Sequence, residues 1–377
     1  MSICLSMIVK NESHIIETTL INICSKVKLS YWVISDTGST DDTKSIITRF
    51  FETQNIPGEL VEHDWVDFAH NRTLALNCAY QKTDYLMFFD ADDTIHGNLV
   101  LPTLTKDRYM VNVGNDFTYL RAMFATNQKK WWYTGVVHEY LDSGDIRTAE
   151  TIQGDYYIES GRNGARNKDE DKYSNDATIL ETAYEGEQTE GLKSRYAFYC
   201  AQSHFDAKQH DKAIEWYTTC LKRPGWIQER CYACFRLGNI HANRKQMDMA
   251  QFYWCKMAEI DPERIDGIVC LMSYLQYQGN HILVNALYHQ WKLYNHAPVD
   301  KLFIQHSLYK YEVEYFNSIS AYYAKDLASG YDCCKAVILN HTNITRVKKC
   351  IDNLSFYKEY LVKDKPFTLF LSKKPCL

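Results

Sequence analysis

Short apolar runs alternate with segments of helical spacing in the amino-terminal part of the chain. Ser2 to Val9 is a β-rich apolar run, and Ser13 to Ile23 carries apolar residues at the three- and four-residue spacing of a helix. A second run, Tyr31 to Ile34, precedes a helical segment through Phe51, and a third lies near Leu60. Strands that alternate with helices in this way predict an α/β domain with a mostly parallel sheet.

The apolar run Tyr85 to Phe89 continues directly into three carboxylates, Asp90, Asp92 and Asp93. This pattern predicts a strand buried on both faces, with the acids at its carboxyl end, where open α/β sheets bind ligands. Carboxylates so close together repel one another unless a cation lies between them. Mg²⁺ or Mn²⁺ is normally held by one or two carboxylates and substrate phosphates, so we expect a diphosphate-bearing substrate. An acidic turn that caps the next helix is the alternative.

Polar residues also follow the first two predicted strands. Lys10, Asn11 and Glu12 come after the first strand, and Asp36 and Thr37 end the second. Because the carboxyl ends of parallel strands lie along one edge of a sheet, these groups are predicted to share one site with the three acids.

These motifs, taken in order, resemble the family 2 glycosyltransferases of the GT-A fold. The resemblance is carried by Met7 to Glu12, Asp36 to Asp41, Asn71-Arg72 and Asp90 to Asp93, and it spans about the first 165 residues. It implies a transferase that uses a nucleotide sugar, most often a uridine diphosphate (UDP) sugar. The GT-A fold that it implies is Rossmann-like, with a mostly parallel sheet.

The resemblance also implies roles for single residues. Asp36 and Thr37 would lie beside the nucleoside base, and Arg72 near the base or the diphosphate. Asp90 and Asp92 match the family's Asp-x-Asp metal signature, and Asp93 could replace either as a ligand. The remaining residues expected to contact the nucleotide are Val9, Lys10, Asn11, Glu12 and Ala91.

An aromatic segment, Trp131 to Leu141, is the candidate for the acceptor side of the site. It resembles the aromatic-Gly-x-x-His-Glu signature of the same branch, in which His138 can complete the shell of the metal. An inverting transferase needs a general base, for which Glu139 is the candidate, with Asp142 behind it. The alternatives are that His138 is a packed strand residue and that Glu139 is a surface acid.

From about Ser174 the pattern is helical, with an internal period close to the roughly 34-residue tetratricopeptide unit. The unit fits Cys231 to Arg264 and, more loosely, Arg195 to Arg230 and Ile265 to His296. This half resembles the helical extension of glycosyltransferases fused to tetratricopeptide-like repeats, one branch of which glycosylates peptides and proteins.

The predicted organisation has four parts. A catalytic domain is expected at 1–165, a linker and first helix at 166–194, repeats at 195–300 and a helical extension at 301–377. The polar segment Ser160 to Asp171, with Arg162, Arg166 and Lys168, is either a solvated linker or a lid over the diphosphate. The tail Phe367 to Leu371 is predicted to be a short strand or a tail packed on the body.

Composition narrows the possible binding partners and the possible compartment of the protein. The net charge of -5 and the absence of a basic run argue against nucleic-acid binding. Thirteen cysteines without paired spacing predict buried free thiols and a reducing, cytoplasmic compartment. The amino terminus lacks the pattern of a signal peptide, and no window is apolar enough for a membrane span.

We therefore expect a Mn²⁺- or Mg²⁺-dependent glycosyltransferase that takes a UDP-sugar and a protein or glycan acceptor. Inversion is favoured, and the helical half is expected to shape the acceptor site or to form a homodimer contact. A second hypothesis is an interaction scaffold whose α/β half is inactive. A nucleotidyltransferase is the third, and it lacks support because the Gly-rich phosphate loop at the amino terminus is missing.

Overall fold

The computed structural model describes residues 1–294, 296–340 and 342–373, and it divides the chain into two compact units, Met1–Trp226 and Ile227–Leu377. The first unit holds a large mixed sheet and six helices, and the second is almost entirely helical in its described residues.

The strands are β1 Ile3–Val9, β2 Tyr31–Asp36, β3 Gly58–Glu62, β4 Tyr85–Phe88, β5 Thr94–Gly97, β6 Arg108–Val113, β7 Phe117–Thr126, β8 Trp132–Thr134, β9 Tyr140–Asp142, β10 Ala149–Thr151, β11 Tyr156–Glu159 and β12 Ile304–Gln305. The helices are α1 Ile16–Lys26, α2 Thr43–Gln54, α3 Phe68–Ala79, α4 Lys172–Gly186, α5 Glu190–Asp206, α6 His210–Leu221, α7 Ile227–Asn243, α8 Met247–Ile260, α9 Asp266–Tyr277, α10 His281–Trp291, α11 Val313–Tyr323, α12 Leu327–Asn340, α13 Ile344–Asn353, α14 Lys358–Lys363 and α15 Lys365–Ser372.

The large sheet has β1 and β4 at its centre, and its strand order is β3-β2-β1-β4-β7-β6-β11-β5. β1 pairs in parallel with β2 and β4, and β2 pairs in parallel with β3, whereas β7 runs antiparallel to both β4 and β6. The register places Val9 opposite Asp36, so the residues that follow β1 and β2 lie at one edge. The predicted fold class, a mostly parallel sheet followed by an all-helical region, is confirmed.

The two faces of the central strands pack on different helices. On one face, Leu5, Met7 and Met87 belong to a core that includes Ile16 and Leu20 of α1. On the opposite face, Cys4, Val33 and Leu86 pack with Leu76 and Ala79 of α3. Because both faces are buried, the strands are continuous apolar runs, and each fully buried large side chain stabilises the fold by about 1.5–3 kcal/mol.

Four pairs of consecutive helices, α5–α6, α7–α8, α9–α10 and α11–α12, are joined by turns of one kind. In each turn one residue adopts a positive φ, namely Lys208, Lys245, Gly279 or Lys325. The next residue donates its backbone N–H to the carbonyl five positions earlier, as Gln209 does to His204 and Gln246 to His241. This bond closes the end of a helix in the Schellman manner, so each pair is a helical hairpin with the same corner.

The carboxyl-terminal tail differs from the prediction. The strand offered as one possibility for Phe367 to Leu371 is wrong, because these residues belong to the helix α15. Asp364 caps this helix by accepting a hydrogen bond from the backbone N–H of Phe367, and Pro366 stands in the first turn, where proline is tolerated. A short apolar run of this kind fits either a strand or a segment of a buried helix, and the sequence pattern alone does not distinguish the two.

All twelve cysteines in the described part of the chain are free thiols, and eight of them are buried. Within the same residues, every helix is too short or too polar to cross a membrane.

One buried charge holds several segments of the second unit together. The Arg264 side chain has no exposed surface; it pairs with Asp266 at 3.2 Å and donates to the carbonyl oxygens of Leu302 at 2.5 Å and Phe303 at 3.1 Å. Removal of one partner of a buried ion pair leaves the other charge uncompensated, which costs about 3–5 kcal/mol.

We therefore predict that Arg264→Ala moves the urea unfolding transition of the second unit to lower concentration by an amount equivalent to about 3–5 kcal/mol. Circular dichroism of the full chain measures the transition. Lys349, an exposed basic residue of the same unit, is the control, and Lys349→Ala should change stability by less than about 0.5 kcal/mol. Equal transitions for the two variants would contradict the role given to Arg264.

Candidate functional site

A cavity of about 910 Å³ opens at the edge of the first unit where the parallel strands end. Its walls come from the residues after β1, β2 and β4, the segment Trp65–Phe68, the loop before α4, and one face of α4 itself. Eight residues predicted to bind the metal or the nucleotide line it: Val9, Lys10, Glu12, Thr37, Arg72, Asp90, Ala91 and Asp92. The other predicted residues, Asn11, Asp36, Asp93, His138, Glu139 and Asp142, lie outside its lining.

Two arginines bind two of the three acids at the end of β4. Arg72 donates from Nη2 to Asp90 Oδ1 at 2.5 Å, and Arg121 donates from Nη1 to Asp90 Oδ2 at 3.0 Å. The other Arg121 amine donates to Asp93 Oδ2, so one guanidinium joins both acids. The sequence analysis missed Arg121, which lies within β7 and outside every motif; its only sequence signal is a cation in an otherwise apolar strand.

This arrangement separates the pKa values of the three acids. Burial acts to raise the pKa of Asp90, but Arg72 and Arg121 outweigh it and lower the pKa to about 2. Burial raises the pKa of Asp93 to about 6, against the opposing effect of Arg121. Burial and the neighbouring charge of Asp90 raise the pKa of Asp92. Asp92 is thus a cavity-lining carboxylate pressed against a like charge, a setting in which a cation is stabilised.

The loop before α4 lies against these acids. Gly161 donates its N–H to Asp93 Oδ1 at 3.2 Å, and Ala165 donates to the Glu12 carboxylate at 3.2 Å. Asn167 donates its side-chain amide to Asp92 Oδ2 at 3.3 Å and accepts a hydrogen bond from Lys172 Nζ at 2.5 Å. Of the two interpretations of this segment, the geometry favours the one in which it covers the strand ends.

The donor set at Asp92 fits a divalent cation. Asp90 and Asp92 both line the cavity and offer hard oxygen ligands, whereas Asp93 is nearly fully buried and directed to Arg121 and Gly161. Mg²⁺ and Mn²⁺ take such oxygen ligands together with substrate phosphates.

The predicted third ligand, His138, does not line the cavity as Asp90 and Asp92 do. Its backbone has a φ of 57°, its ring stacks on Tyr199 at 4.2 Å, and its carbonyl oxygen accepts a hydrogen bond from Arg195 Nη2 at 2.8 Å. Partial desolvation and the cations Arg195 and Arg166 lower the pKa of the imidazole, so the ring is neutral at pH 7. Within the described residues, the ligand atoms of His138 and the three acids do not form a group of three within 4.8 Å of one another.

Asp36 combines a structural and a binding capacity. Its Oδ1 accepts the backbone N–H groups of Gly38 at 2.9 Å and Ser39 at 2.7 Å, which holds the turn after β2. Its Oδ2 is buried and has no hydrogen-bond partner among the described residues. Buried carboxylate oxygens are normally paired, so Oδ2 is an unsatisfied acceptor, although Asp36 does not line the cavity. Two further predicted residues make hydrogen bonds at the same edge. The Thr37 hydroxyl donates to Val9 O at 3.1 Å, and Asn11 Oδ1 accepts the backbone N–H of Thr40 at 2.8 Å.

The two predicted general bases differ in their surroundings. Glu139 Oε1 lies 2.6 Å from Arg72 Nε, and the Glu139 side chain is only 11% exposed. Asp142 Oδ1 accepts the backbone N–H groups of Ser143 at 2.7 Å and Gly144 at 3.0 Å, which makes it the first residue of a turn. Glu139 is therefore connected to the cavity through Arg72, whereas Asp142 serves the local backbone.

Helix α4 is the part of the cavity wall that the sequence analysis did not assign to the site. Small polar and apolar residues on one face line the cavity at three- and four-residue spacing, namely Asn175, Thr178, Ile179, Thr182 and Ala183. Arg166 Nη2 also donates to the buried Asp176, and its guanidinium lies 4.7 Å from the Phe68 ring centroid. The spacing of the five lining residues of α4 is visible in the sequence. It marks a helix face that is neither part of the core nor fully charged, which is a signal for a surface that lines a site.

One part of the chain is similar to a known protein family. Residues 4–133 match the model of the glycosyl transferase family 2, which supports a glycosyltransferase enzyme. A comparison with curated proteins gives no significant match.

The solved structures that are similar to the chain include TarS and a mannosyltransferase. TarS 1–349 from S. aureus, in complex with UDP-GlcNAc, has 13% identity and a TM-score of 0.36, with 69% of this chain and 91% of that chain covered. The mannosyltransferase PcManGT from Pyrobaculum calidifontis, in complex with GDP-Man and Mn²⁺, has 15% identity and a TM-score of 0.36, with 78% and 83% covered.

We predict that Gly161→Ala disturbs the site, because a Cβ at Gly161 would lie 1.8 Å from the Asp92 carbonyl oxygen. The backbone must move, and overpacking of this kind costs about 1–3 kcal/mol. Differential scanning fluorimetry should show a lower melting temperature. Gly191→Ala is the control, because nothing lies within 4 Å of its added Cβ. Equal melting temperatures for wild type and Gly161→Ala would show that the loop does not press on Asp92.

Proposed function

We propose that the chain is a metal-dependent glycosyltransferase that transfers a sugar from a nucleotide diphosphate sugar, expected to be a UDP-sugar, to a protein or glycan acceptor. The observation that carries the proposal is the position of Asp90 and Asp92 in a large cavity of a domain that matches glycosyl transferase family 2. Free thiols at every described cysteine fit the reducing compartment that we propose for the enzyme, the cytoplasm.

The cavity has the charge and surfaces that a nucleotide diphosphate sugar needs. Lys10, Arg166 and Lys172 line it and supply positive charge for the diphosphate. Trp65 also lines it, is 42% exposed, and makes an edge-to-face contact with Phe68 at 4.8 Å, so the cavity contains an aromatic surface for a base or a sugar. Asp36 is kept beside the base on the strength of the sequence resemblance; its buried Oδ2 has no hydrogen-bond partner among the described residues.

The transfer breaks a bond between the anomeric carbon and the diphosphate, and negative charge develops on the departing diphosphate. A divalent cation bound there would supply Lewis-acid stabilisation of that charge. Asp92 would hold the cation with Asp90, and Arg72 and Arg121 keep Asp90 ionised and oriented. Lys172 is placed by Asn167 to stabilise the same diphosphate.

The acceptor hydroxyl must lose its proton to a general base as the new bond forms. We retain Glu139 for this role and rank it above Asp142, because its ion pair with Arg72 connects it to the cavity. His138 remains the proposed third metal ligand on the strength of the sequence resemblance alone. Inversion by direct displacement is the proposed course.

The helical half is proposed to shape the acceptor site or to form a homodimer contact, with tetratricopeptide-like hairpins as its building blocks. The common corner of the four hairpins supports a repeated unit. The second hypothesis, a scaffold with an inactive catalytic domain, is weakened by the presence of Asp90, Asp92 and Arg72 in one cavity.

We predict that Asp92→Asn lowers metal-dependent hydrolysis of UDP-sugars by at least about 100-fold, because the substitution removes the charge that holds the cation. Hydrolysis needs no acceptor, so a panel of UDP and guanosine diphosphate sugars with Mn²⁺ identifies the donor at the same time. Asp155→Asn, at an exposed carboxylate outside the cavity, is the control and should retain activity. No turnover of any nucleotide sugar by the wild type, with no thermal shift from UDP, would reject the proposed function.

Lys172→Ala is predicted to weaken UDP binding by about 10–150-fold, since one charge-assisted contact to a diphosphate contributes roughly 1.5–3 kcal/mol. Isothermal titration calorimetry measures the change. Lys168→Ala is the matched control, because Lys168 is exposed, lies in the loop before α4 and does not line the cavity. If both variants bind UDP equally well, the diphosphate does not lie beside α4.

A further inference from the structure

Glu181, Cys200 and His204 form a cluster of possible metal ligands away from the cavity acids. Glu181 lies on α4, and Cys200 and His204 lie one turn apart on α5. One ligand atom from each residue lies within 4.8 Å of the other two, and this is the one such group of three in residues 1–294, 296–340 and 342–373. None of the three lines the cavity, although Ile179, Thr182 and Ala183, which flank Glu181 in the chain, do.

The hydrogen bonds of His204 define which ring nitrogen faces the cluster. Nδ1 lies 2.7 Å from Gln209 Oε1, an atom that can only accept, so Nδ1 carries a proton. Nε2 lies 2.8 Å from Glu181 Oε1. A neutral ring therefore directs a lone pair at a carboxylate oxygen, which is repulsive unless a cation lies between them. The metal-free alternative is a doubly protonated imidazolium paired with Glu181.

The next hairpin contains an internal comparison for this cluster. His241 ends the first helix of that hairpin and makes the same bond to Gln246, with Nδ1 2.7 Å from Oε1. The pair of histidine and glutamine is therefore a feature of the hairpin corner. Position 237, which corresponds to Cys200, holds Leu, and position 218, which corresponds to Glu181, holds Thr. Of these two hairpins, only α5–α6 has a thiol beside the histidine, and only there does the preceding helix, α4, add a carboxylate.

We propose that Glu181, Cys200 and His204 bind a Zn²⁺ ion that joins α4 to α5. Zn²⁺ favours this combination of sulfur, nitrogen and oxygen ligands at about 2.0–2.3 Å, and a Cys and a His four residues apart present their ligand atoms on one helix face. The Cys200 Sγ already faces α4, where it donates to Ala177 O at 3.8 Å. On binding, the thiol releases its proton to solvent as the Zn–S bond forms.

The geometry leaves a fourth position for water. Cys200 and His204 are buried, but the Glu181 side chain is 34% exposed, so the cluster opens to solvent on that side. A tetrahedral ion requires the His204 and Glu181 ligand atoms to be about 3.3 Å apart, an increase of about half an ångström that one side-chain torsion of the half-exposed Glu181 can provide. Because α4 forms one wall of the cavity, zinc bound here would stabilise that wall. The proposal does not depend on the proposed glycosyltransferase function.

The experiment measures zinc in the full chain after treatment with a chelator, in an Asp92→Asn background so that the cavity acids do not contribute. Bound metal after gel filtration is expected to be about one zinc per chain, and Co²⁺ in its place should give the charge-transfer absorption of a thiolate ligand. Cys200→Ser and Glu181→Gln should each weaken zinc binding by about 10–100-fold and abolish the zinc-induced rise in melting temperature.

Cys231→Ser is the matched control. Cys231 is also fully buried and directs its Sγ to a carbonyl, that of Met257 at 3.5 Å, but it belongs to no ligand group. This variant should bind zinc like the parent chain. Absence of zinc and of the cobalt–thiolate band in the parent would overturn the proposal and leave the imidazolium–carboxylate pair. Zinc binding by Cys200→Ser and Glu181→Gln that equals the binding by the parent would do the same. If Cys200→Ser does not fold, Glu181→Gln alone decides, because Glu181 is partly exposed.

Discussion

The site depends on charge balance at the end of one buried strand. Asp90, Asp92 and Asp93 are close together because they lie within four positions of the chain, directly after the buried strand β4. Arg121 joins Asp90 to Asp93, and Arg72 adds a second cation to Asp90. Without these arginines the acids would lose their charge on burial, because adjacent buried carboxylates cannot all remain ionised. With them, Asp92 is the acid that faces the cavity with its own charge to be balanced.

The rest of the site is built around that balance by segments distant in sequence. The loop that contains Gly161 packs directly on the Asp92 backbone, where a side chain would not fit. Asn167 and Lys172 extend a chain of hydrogen bonds from Asp92 into α4, and α4 forms a wall of the cavity. A helix at the start of the helical region is therefore part of the site, and any contact that stabilises α4 also acts on the cavity.

The repeated hairpins show how a general structural unit acquires local chemistry. A histidine that ends one helix and a glutamine that begins the next form the same bond in two hairpins. At the first of these hairpins alone, Cys200 of α5 and Glu181 of α4 lie beside that histidine, and α4 is the helix that lines the cavity. The proposed zinc ion and the proposed diphosphate would thus contact different faces of the same helix.

The sequence by itself determined the central sheet, the position of the acids and the all-helical character of the region that follows. Strands buried on both faces must be continuous apolar runs, so β1, β2 and β4 and the polar residues that follow them were visible as local patterns. Only the tertiary structure decided that Arg121 binds Asp93 across 28 residues, that Asn167 binds Asp92 across 75, and that the His138 ring stacks on Tyr199. These contacts arise from packing between segments that carry no shared pattern along the chain, and for that reason periodicity and motifs could not predict them.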